Sequence, residues 1–380
     1  MESKKEIIVI GAGPAGLTLA YEILKESNEY NVTILEGQCD VGGLSRTVNH
    51  NGNLLDIGGH RFFTKDERVQ QMFDEVFPKP ANNLSDDVFL KRKRLSRIYF
   101  RNNFFHYPLR LSMGTVFKFG LAETAFVVLS YIYARIFIRD ESDNLEGFFI
   151  SRFGKRLYLK FFKDYTEKVW GEKCSQISSE WGNQRVKGLS LKEMMWSLLF
   201  NRTKKKHTSL IDEFLYPKFG PGQFWNKVRK DIEAKGAVVR LNEKVTEVNK
   251  TAAGWSVTTG QGHYDGALCI STMPLRTLFK SIKSEVPDDI RSISDHLDYR
   301  DFLTVGLELS DFHMSNDPSV VRGHPFLPDN WLYVQDEGVK VGRVQIFNNW
   351  SPYMVKDIKS PWIGLEYFCQ KGDAFWNTSD

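Results

Sequence analysis

An α/β architecture is what this sequence predicts, and three observations carry it. Residues 6–10 (EIIVI) are a short apolar run ending in Gly11, the pattern of a buried parallel strand. Pro14 to Lys25 follows with Leu17, Ala20, Tyr21 and Leu24 on one helical face, and residues 31–36 (NVTILE) return as a second strand. Beyond them, strand-like stretches rich in aromatics flank a long helical segment. The fold class is therefore α/β: a Rossmann-like domain assembled from discontinuous pieces, with a helical insertion and a mixed-sheet substrate domain.

Element by element, Val41 to Phe63 reads as a glycine-rich loop, and Lys65 to Phe77 as a helix stopped by Pro78. Segments 88–93 and 96–105 read as antiparallel strands, and 112–200 as mainly helical, with helices at Leu145–Phe153 and Leu157–Phe162. Helix Gly222–Lys235 leads into strand 237–241 and the extended stretch 244–249; 255–259 and 267–271 then make a hairpin-like return. Further strands fall at 302–309, 331–335, 343–347 and 363–369. These elements divide the chain into 1–85 and 211–280 for the nucleotide domain and 111–210 for the helical insertion. Residues 86–110 and 281–380 remain for the substrate-domain strands and sheet.

With 380 residues, 42% hydrophobic, the chain is long enough for two cores. Lys and Arg number 51 against 47 acidic residues, a balance that gives no nucleic-acid footprint. The Lys91–Arg94 run alternates along a strand, which splits its charges between two faces. The basic stretch 201–209 reads as a solvated connection. Cys39, Cys174, Cys269 and Cys369 are scattered without metal-ligand spacing, and MESKKE runs straight into a strand. A cytoplasmic compartment and no metal are the expectation. The longest apolar stretch, Phe119 to Ile138, is interrupted by Glu123 and Arg135; it is too short to span a bilayer and is expected as a buried helix.

Gly11-Ala12-Gly13-Pro14-Ala15-Gly16 matches GxGxxG between a strand and a helix, the context that gives the motif meaning. Gly11 permits the tight turn, Gly13 admits a pyrophosphate, and Gly16 lets helix and strand pack closely. The helix start offers N–H groups and a positive dipole end to phosphates. Glu36, 20 residues past Gly16, stands where a carboxylate accepts ribose hydroxyls and repels a 2′-phosphate. Gly42-Gly43-Leu44-Ser45-Arg46-Thr47 then resembles the second glycine pair of the amine-oxidase-like flavoproteins, which favours FAD over NAD. In that reading Arg46 compensates phosphate charge.

The resemblance to the flavoprotein superfamily of amine oxidases, protoporphyrinogen oxidase and UDP-galactopyranose mutase extends across nearly the whole chain, and the mutases look closest. Gly58-Gly59-His60 resembles the mutase loop that passes the flavin, and Tyr107-Pro108 a nucleotide-side motif. Tyr165 to Arg185 resembles the segment that carries a pocket tryptophan, here Trp170, and a diphosphate-binding arginine, here Arg185. Tyr216 to Trp225 and Ser271 to Pro274 match further segments. Trp331-Leu332-Tyr333, Arg343 and Asn348 to Pro352, with Trp350, resemble strands lining the sugar-nucleotide site. Val245 is a further cofactor position. The pattern departs at Thr166, Arg110 and Trp350, where the mutases carry Asn, Gln and Tyr. Their C-terminal flavin and diphosphate contacts have no counterpart up to Asp380.

The resemblance implies non-redox ring contraction of a UDP-hexose on reduced flavin, in cell-surface polysaccharide biosynthesis. His60, Arg185 and Arg343 would be catalytic, and Tyr107, Trp170, Trp331, Tyr333 and Trp350 would join the two arginines on the substrate. Two arginines suit a diphosphate and aromatic walls suit uracil and a hexose face. An ordinary flavin oxidoreductase shares the same cofactor residues and is the competing expectation; a non-catalytic relative is the third. The expected partner is a small molecule, with no nucleic acid and no membrane span, and homo-oligomerisation is compatible with the sequence.

Overall fold

A computed structural model describes residues 4–78, 85–107, 109, 113–138, 143–185, 212–310, 326–336 and 338–379. The chain folds as two compact units. Unit 1 comprises Met1–Arg92, Leu215–Tyr299 and Trp350–Ile358; unit 2 comprises Lys93–Phe214, Arg300–Asn349 and Lys359–Asp380.

In unit 1, strands β1 (Lys5–Ile10), β2 (Tyr30–Leu35), β9 (Val238–Arg240) and β13 (Leu268–Ser271) form a parallel sheet in the order β13-β1-β2-β9. Ile7, Ile8, Val9 and Ile10 are all buried, which explains an unbroken apolar run where a half-exposed strand would alternate. Helix α1 (Pro14–Glu26) starts with proline, whose fixed φ suits a first turn. It lays Gly16, Leu17, Ala20 and Tyr21 inward, where α2 (Glu67–Val76) and α9 (Pro221–Ala234) share the core through Phe73, Phe224 and Val228. A hairpin of β3 (Thr47–His50) and β4 (Asn53–Asp56) and a ribbon of β5 (Phe89–Lys93) with β8 (Glu213–Pro217) complete this part.

A second small sheet joins β10 (Val245–Thr251), β11 (Gly254–Thr259) and β12 (His263–Gly266) in antiparallel order. The hairpin-like return expected for 255–259 with 267–271 is therefore corrected. Residues 255–259 pair with β10 and β12, whereas β13 joins β1 in parallel because Ile270 and Cys269 have apolar cores on either side of that sheet. Residues 281–299, read with the substrate sheet, also lie in unit 1. Helix α10 (Leu275–Ser281) packs Leu278, with Ile282, onto Val245 and Val248, and α11 (Asp288–Asp295) packs on α10.

Unit 2 is built on a mixed six-stranded sheet in the order β14-β17-β16-β15-β6-β7. Its strands are β6 (Ser96–Phe100), β7 (Asn103–His106), β14 (Asp301–Glu308), β15 (Trp331–Val334), β16 (Val341–Ile346) and β17 (Trp362–Cys369). All neighbours are antiparallel except β15 with β6. The stretch 96–105 is two strands and not one. Arg101 and Asn102 turn the chain at φ 49° and 58°, the positive pair that a two-residue hairpin requires.

The helical part of unit 2 contains α3 (Met113–Phe119), α4 (Leu121–Phe137), α5 (Leu145–Phe153), α6 (Lys155–Leu157), α7 (Lys163–Trp170) and α8 (Ser179–Arg185). Between α6 and α7, Tyr158–Phe162 is a wide π-turn, where an ordinary helix was expected; Phe162 stacks on Phe149 with centroids 4.6 Å apart. The buried helix expected for Phe119–Ile138 is overturned more sharply. In α4 just Val127 and Ala134 are buried, while Leu129 is 61% and Ile136 67% exposed. No helix among the described residues is long and apolar enough to cross a membrane. The basic stretch 201–209, Pro108 and Arg110 lie outside the described residues.

Candidate functional site

The first candidate site lies in unit 1 where β1 gives way to α1. Gly11 has φ 102°, and a Cβ there would stand 2.4 Å from Thr272 Oγ1. At Gly16 a Cβ would stand 2.0 Å from the Gly11 carbonyl oxygen, so helix and turn touch directly. The second glycine pair comes up against the first. Gly42 N–H donates to the Ala12 carbonyl at 2.8 Å, and a Cβ on Gly43 would lie 3.2 Å from Gly13 Cα. Gly42 and Gly43 have φ 96° and 53°, which L-residues with side chains rarely adopt. Leu44 starts back toward solvent and is largely exposed.

Glu36 turns back toward this double turn. One carboxylate oxygen accepts the Ala12 N–H at 2.7 Å and the other the Gln38 N–H at 2.9 Å. The cradle fits an adenine dinucleotide for two structural reasons. Pro14, Ala15 and Gly16 open the helix behind Gly13, which has no side chain to cap it, so the end is open to an anion. Arg46 has its Nε buried without a hydrogen-bond acceptor among the described residues, as a guanidinium awaiting phosphate would. Val245 has a buried side chain packed with Ile8, Ile10 and Leu35, so a role toward a cofactor would fall to its main chain.

Further along unit 1, Gly58 has φ 80° and its carbonyl meets His60 Nδ1 at 3.0 Å, which sets the ring's direction. Gly59 separates them in the same loop. Two residues before this loop stands Asp56, which the sequence reading missed. It is fully buried and accepts hydrogen bonds from Thr47 Oγ1 at 2.8 Å and from the Tyr216 hydroxyl. Burial pushes its carboxyl up to about 7, against the lowering effect of those two bonds. Tyr216 is itself raised well above its ordinary range by burial and by Asp56. The family segment at Tyr216 was the available signal; nothing in the local pattern around Asp56 marked it. Trp350, expected on the substrate, is wholly buried in unit 1 beside Tyr216, with Arg61 over its ring at 5.3 Å. Its place is the core, which corrects that expectation.

The second candidate site lies in unit 2 and gathers four of the named residues. Trp331 and Tyr333 are two apart on β15 and so share a face. Tyr333 pairs with Arg343 across β16, and Arg343 with Glu366 across β17. The ring of Tyr107 stacks on Tyr333 at 4.3 Å and 22°, and Tyr165 meets Tyr333 edge-on at 5.7 Å. The Arg343 guanidinium sits over Trp331 at 4.6 Å and over Phe368 at 4.8 Å, with Nε 2.6 Å from Glu366 Oε2. Tyr165 heads a matched segment but was given no role, and Glu366 belongs to no short motif; strand pairing and a helix bring them in.

Glu366 is fully buried, which raises its carboxyl, while Arg343 and a 2.8 Å hydrogen bond from Gln345 Nε2 pull it down. Tyr165 is raised well above the usual phenol range by burial, with Arg343 opposing. The Arg343 charge is thus compensated within the protein, although 23% of its side chain remains exposed. Tyr107 is 39% exposed. This arrangement offers flat rings and a held guanidinium to a ligand with a planar group and an anionic group. Trp170 is not in the cluster; it ends α7 and meets Trp181 edge-on at 5.4 Å. Arg185 ends α8, and its side chain lies outside the described set.

Among known proteins, coproporphyrinogen III oxidase of Staphylococcus aureus (strain NCTC 8325 / PS 47) is 20% identical over 291 residues, 70% of this chain and 60% of that enzyme. The chain thus spans about three fifths of that relative's length. Protoporphyrinogen oxidase 2 of Arabidopsis thaliana is 35% identical over 74 residues, 20% of this chain and 14% of that protein. A solved structure of reduced UDP-galactopyranose mutase matches the fold with a TM-score of 0.80 at 20% identity, covering 97% of this chain and 75% of that one. The family model for flavin containing amine oxidoreductase matches residues 14–324. FAD is therefore the cofactor of this chain. With that match over most of its length, the chain belongs to the flavin containing amine oxidoreductase family.

Proposed function

We propose that this chain acts on a nucleotide sugar, contracting the hexose ring of a UDP-hexose without net redox change, in the manner of UDP-galactopyranose mutase. The observation that carries the reading is the aromatic and arginine cluster of unit 2: Tyr107 stacked on Tyr333, with Arg343 held beside Trp331. A UDP-sugar carries a flat base and a diphosphate, the two groups that stacked rings and a fixed guanidinium suit. The extensive likeness in fold to the mutase supports the same reading.

Bound and reduced, FAD supplies a nucleophilic nitrogen for an anomeric carbon, chemistry that splits one hard rearrangement into easier steps. The chain's part is positional and electrostatic. Arg343 would stabilise the diphosphate as it leaves and returns, fixed by Glu366 and two rings so that little reorganisation is needed. Arg185 would complete the clamp, and Tyr107 and Tyr333 would seat the uracil or the apolar hexose face. His60, aimed by the Gly58 carbonyl, would act at the flavin loop. Gly11, Gly13, Gly16, Gly42, Gly43 and Glu36 would hold the dinucleotide, with Arg46 on its phosphates. A polysaccharide precursor is the product class that follows.

A second reading, FAD-dependent oxidation of a porphyrinogen, is favoured by the match to coproporphyrinogen III oxidase over 291 residues. One pair of measurements separates them. Under anaerobic conditions the dithionite-reduced protein should convert UDP-galactopyranose and lose that activity on reoxidation. Oxygen uptake with coproporphyrinogen III, without conversion of UDP-sugar, would select the oxidase.

A further inference from the structure

Helix α4 turns the usual amphipathic pattern inside out. At about 100° per residue, Leu121, Ala122, Ala125, Phe126, Leu129, Ile132, Tyr133, Ile136 and Phe137 sweep an arc of about 160°. Every one of them is exposed. The acidic residue of the helix, Glu123, lies just past the Phe137 edge of the arc, where Arg156 Nε and Nη2 meet its carboxylate at 2.6 and 2.8 Å and Lys160 stands 3.7 Å away. Water therefore meets the apolar side, and the acidic charge beside it is paired with Arg156 and Lys160. Contiguous exposed apolar patches of this size mark interaction surfaces.

What covers this arc is indicated by its chemistry. Within it, the Tyr133 hydroxyl is the one side-chain group able to hydrogen-bond, whereas protein interfaces carry about one hydrogen bond per 100–200 Å². The elements packed beside the helix carry more cations than carboxylates. Lys118 precedes the helix, Arg135 borders the arc, and Lys155, Arg156 and Lys160 lie on the helix and π-turn that pack beside it, with Arg156 5.7 Å from the Phe126 ring. Against these five cations and Arg152 of α5, α4 and the elements packed on it carry two carboxylates, Glu123 and Glu146, while Asp140, Glu141 and Asp143 follow α4 in the sequence. A second copy docking here would bring two positive rims together, a like-charge arrangement that association disfavours.

We propose that α4 is a monotopic membrane contact that lies in the plane of an anionic lipid surface, with its apolar arc among the upper acyl chains and the flanking Lys and Arg residues on the headgroups. The helix needs no span for this, since an interfacial helix buries one face while its ends stay at headgroup level. The lipid is recognised by charge and by apolar area; no single headgroup is specified by the residues present.

The test uses the full chain with its FAD and vesicles of equal parts phosphatidylglycerol and phosphatidylcholine, with pure phosphatidylcholine vesicles alongside. The protein should float with the anionic vesicles and far less with the neutral ones. Leu129→Glu with Ile136→Glu should lower the bound fraction at least about tenfold, since each removes an exposed apolar side chain that the lipid would bury. Arg135→Gln and Lys155→Gln should each weaken binding about fivefold. Retention of FAD absorbance by each variant establishes that it is folded. Failure of the unaltered protein to float with anionic vesicles overturns the proposal. So does conversion of a dimer to a monomer by Leu129→Glu with Ile136→Glu, which would assign the face to a second copy.

Discussion

Arg343 and Glu366 stand opposite each other on β16 and β17 and meet in an ion pair of 2.6 Å, the glutamate fully buried. A carboxylate out of water is tolerated here because the guanidinium and Gln345 supply the interactions that water would. The pair holds the middle of the unit 2 cluster, so its energetics govern both stability and the shape of the site.

Arg343→Ala should therefore destabilise the protein by about 3–5 kcal/mol, because it strands a buried carboxylate. Urea unfolding with Glu366→Gln as a second change checks this. The double variant should recover most of the loss; equal destabilisation in single and double variants would show that the lost cation–π packing, not the stranded charge, sets the cost.

The two glycines of the nucleotide turn should fail in different ways. Gly16→Ala forces a Cβ to within 2.0 Å of the Gly11 carbonyl, so the strand–helix junction must open, and the melting temperature and FAD content should fall together. At Gly13 the nearest heavy atom to a Cβ is Gly43 Cα at 3.9 Å, which is ordinary contact. Gly13→Ala should fold normally and lose FAD, since the methyl group occupies space meant for phosphate. Denaturant melts and flavin absorbance of both variants distinguish the two behaviours.

Asp56 should impose a pH dependence on stability. Its carboxyl is raised from 3.8 to about 7 in the folded state, so the folded protein holds a proton that the unfolded chain releases. The sign follows: this contribution is complete below about pH 4 and is lost as pH rises through about 7, amounting to about 4 kcal/mol at most. Asp56→Asn should flatten that slope between pH 5 and 8 in chemical denaturation. An unchanged slope would assign the dependence to other groups.

On the proposed reading, Tyr333→Ala should weaken UDP binding to the reduced protein by about 1–3 kcal/mol, as loss of a stacking ring does. Tyr107→Phe keeps the ring that stacks on Tyr333 and should bind nearly as tightly as the unaltered chain. Titration calorimetry of UDP against the three proteins measures both. Undiminished UDP affinity in Tyr333→Ala would remove this cluster from the nucleotide site.

Local patterns were legible where one element satisfies them. β1, the glycine turn, α1 and β2 fall within one continuous stretch, and backbone geometry demands glycine at Gly11, Gly16 and Gly42 wherever the rest of the chain goes. Glu36 was equally legible, because strand length and turn spacing place it beside Ala12. Arg343 and Tyr333 were visible as residues, but not as neighbours of Tyr107, Tyr165 and Glu366, which are brought in from distant parts of the chain.

By itself, then, the sequence determined the glycine turn between β1 and α1, the α/β class and the residue types available for a substrate. Tertiary structure alone decided that 267–271 joins the parallel sheet, that Trp350 is core, that Asp56 is buried and that α4 shows its apolar side to the outside. The reason is physical. A turn is specified by φ angles and clashes within a few residues, whereas burial depends on which surfaces the folded chain brings together, and apolar periodicity reads the same whether a helix face meets protein or lipid.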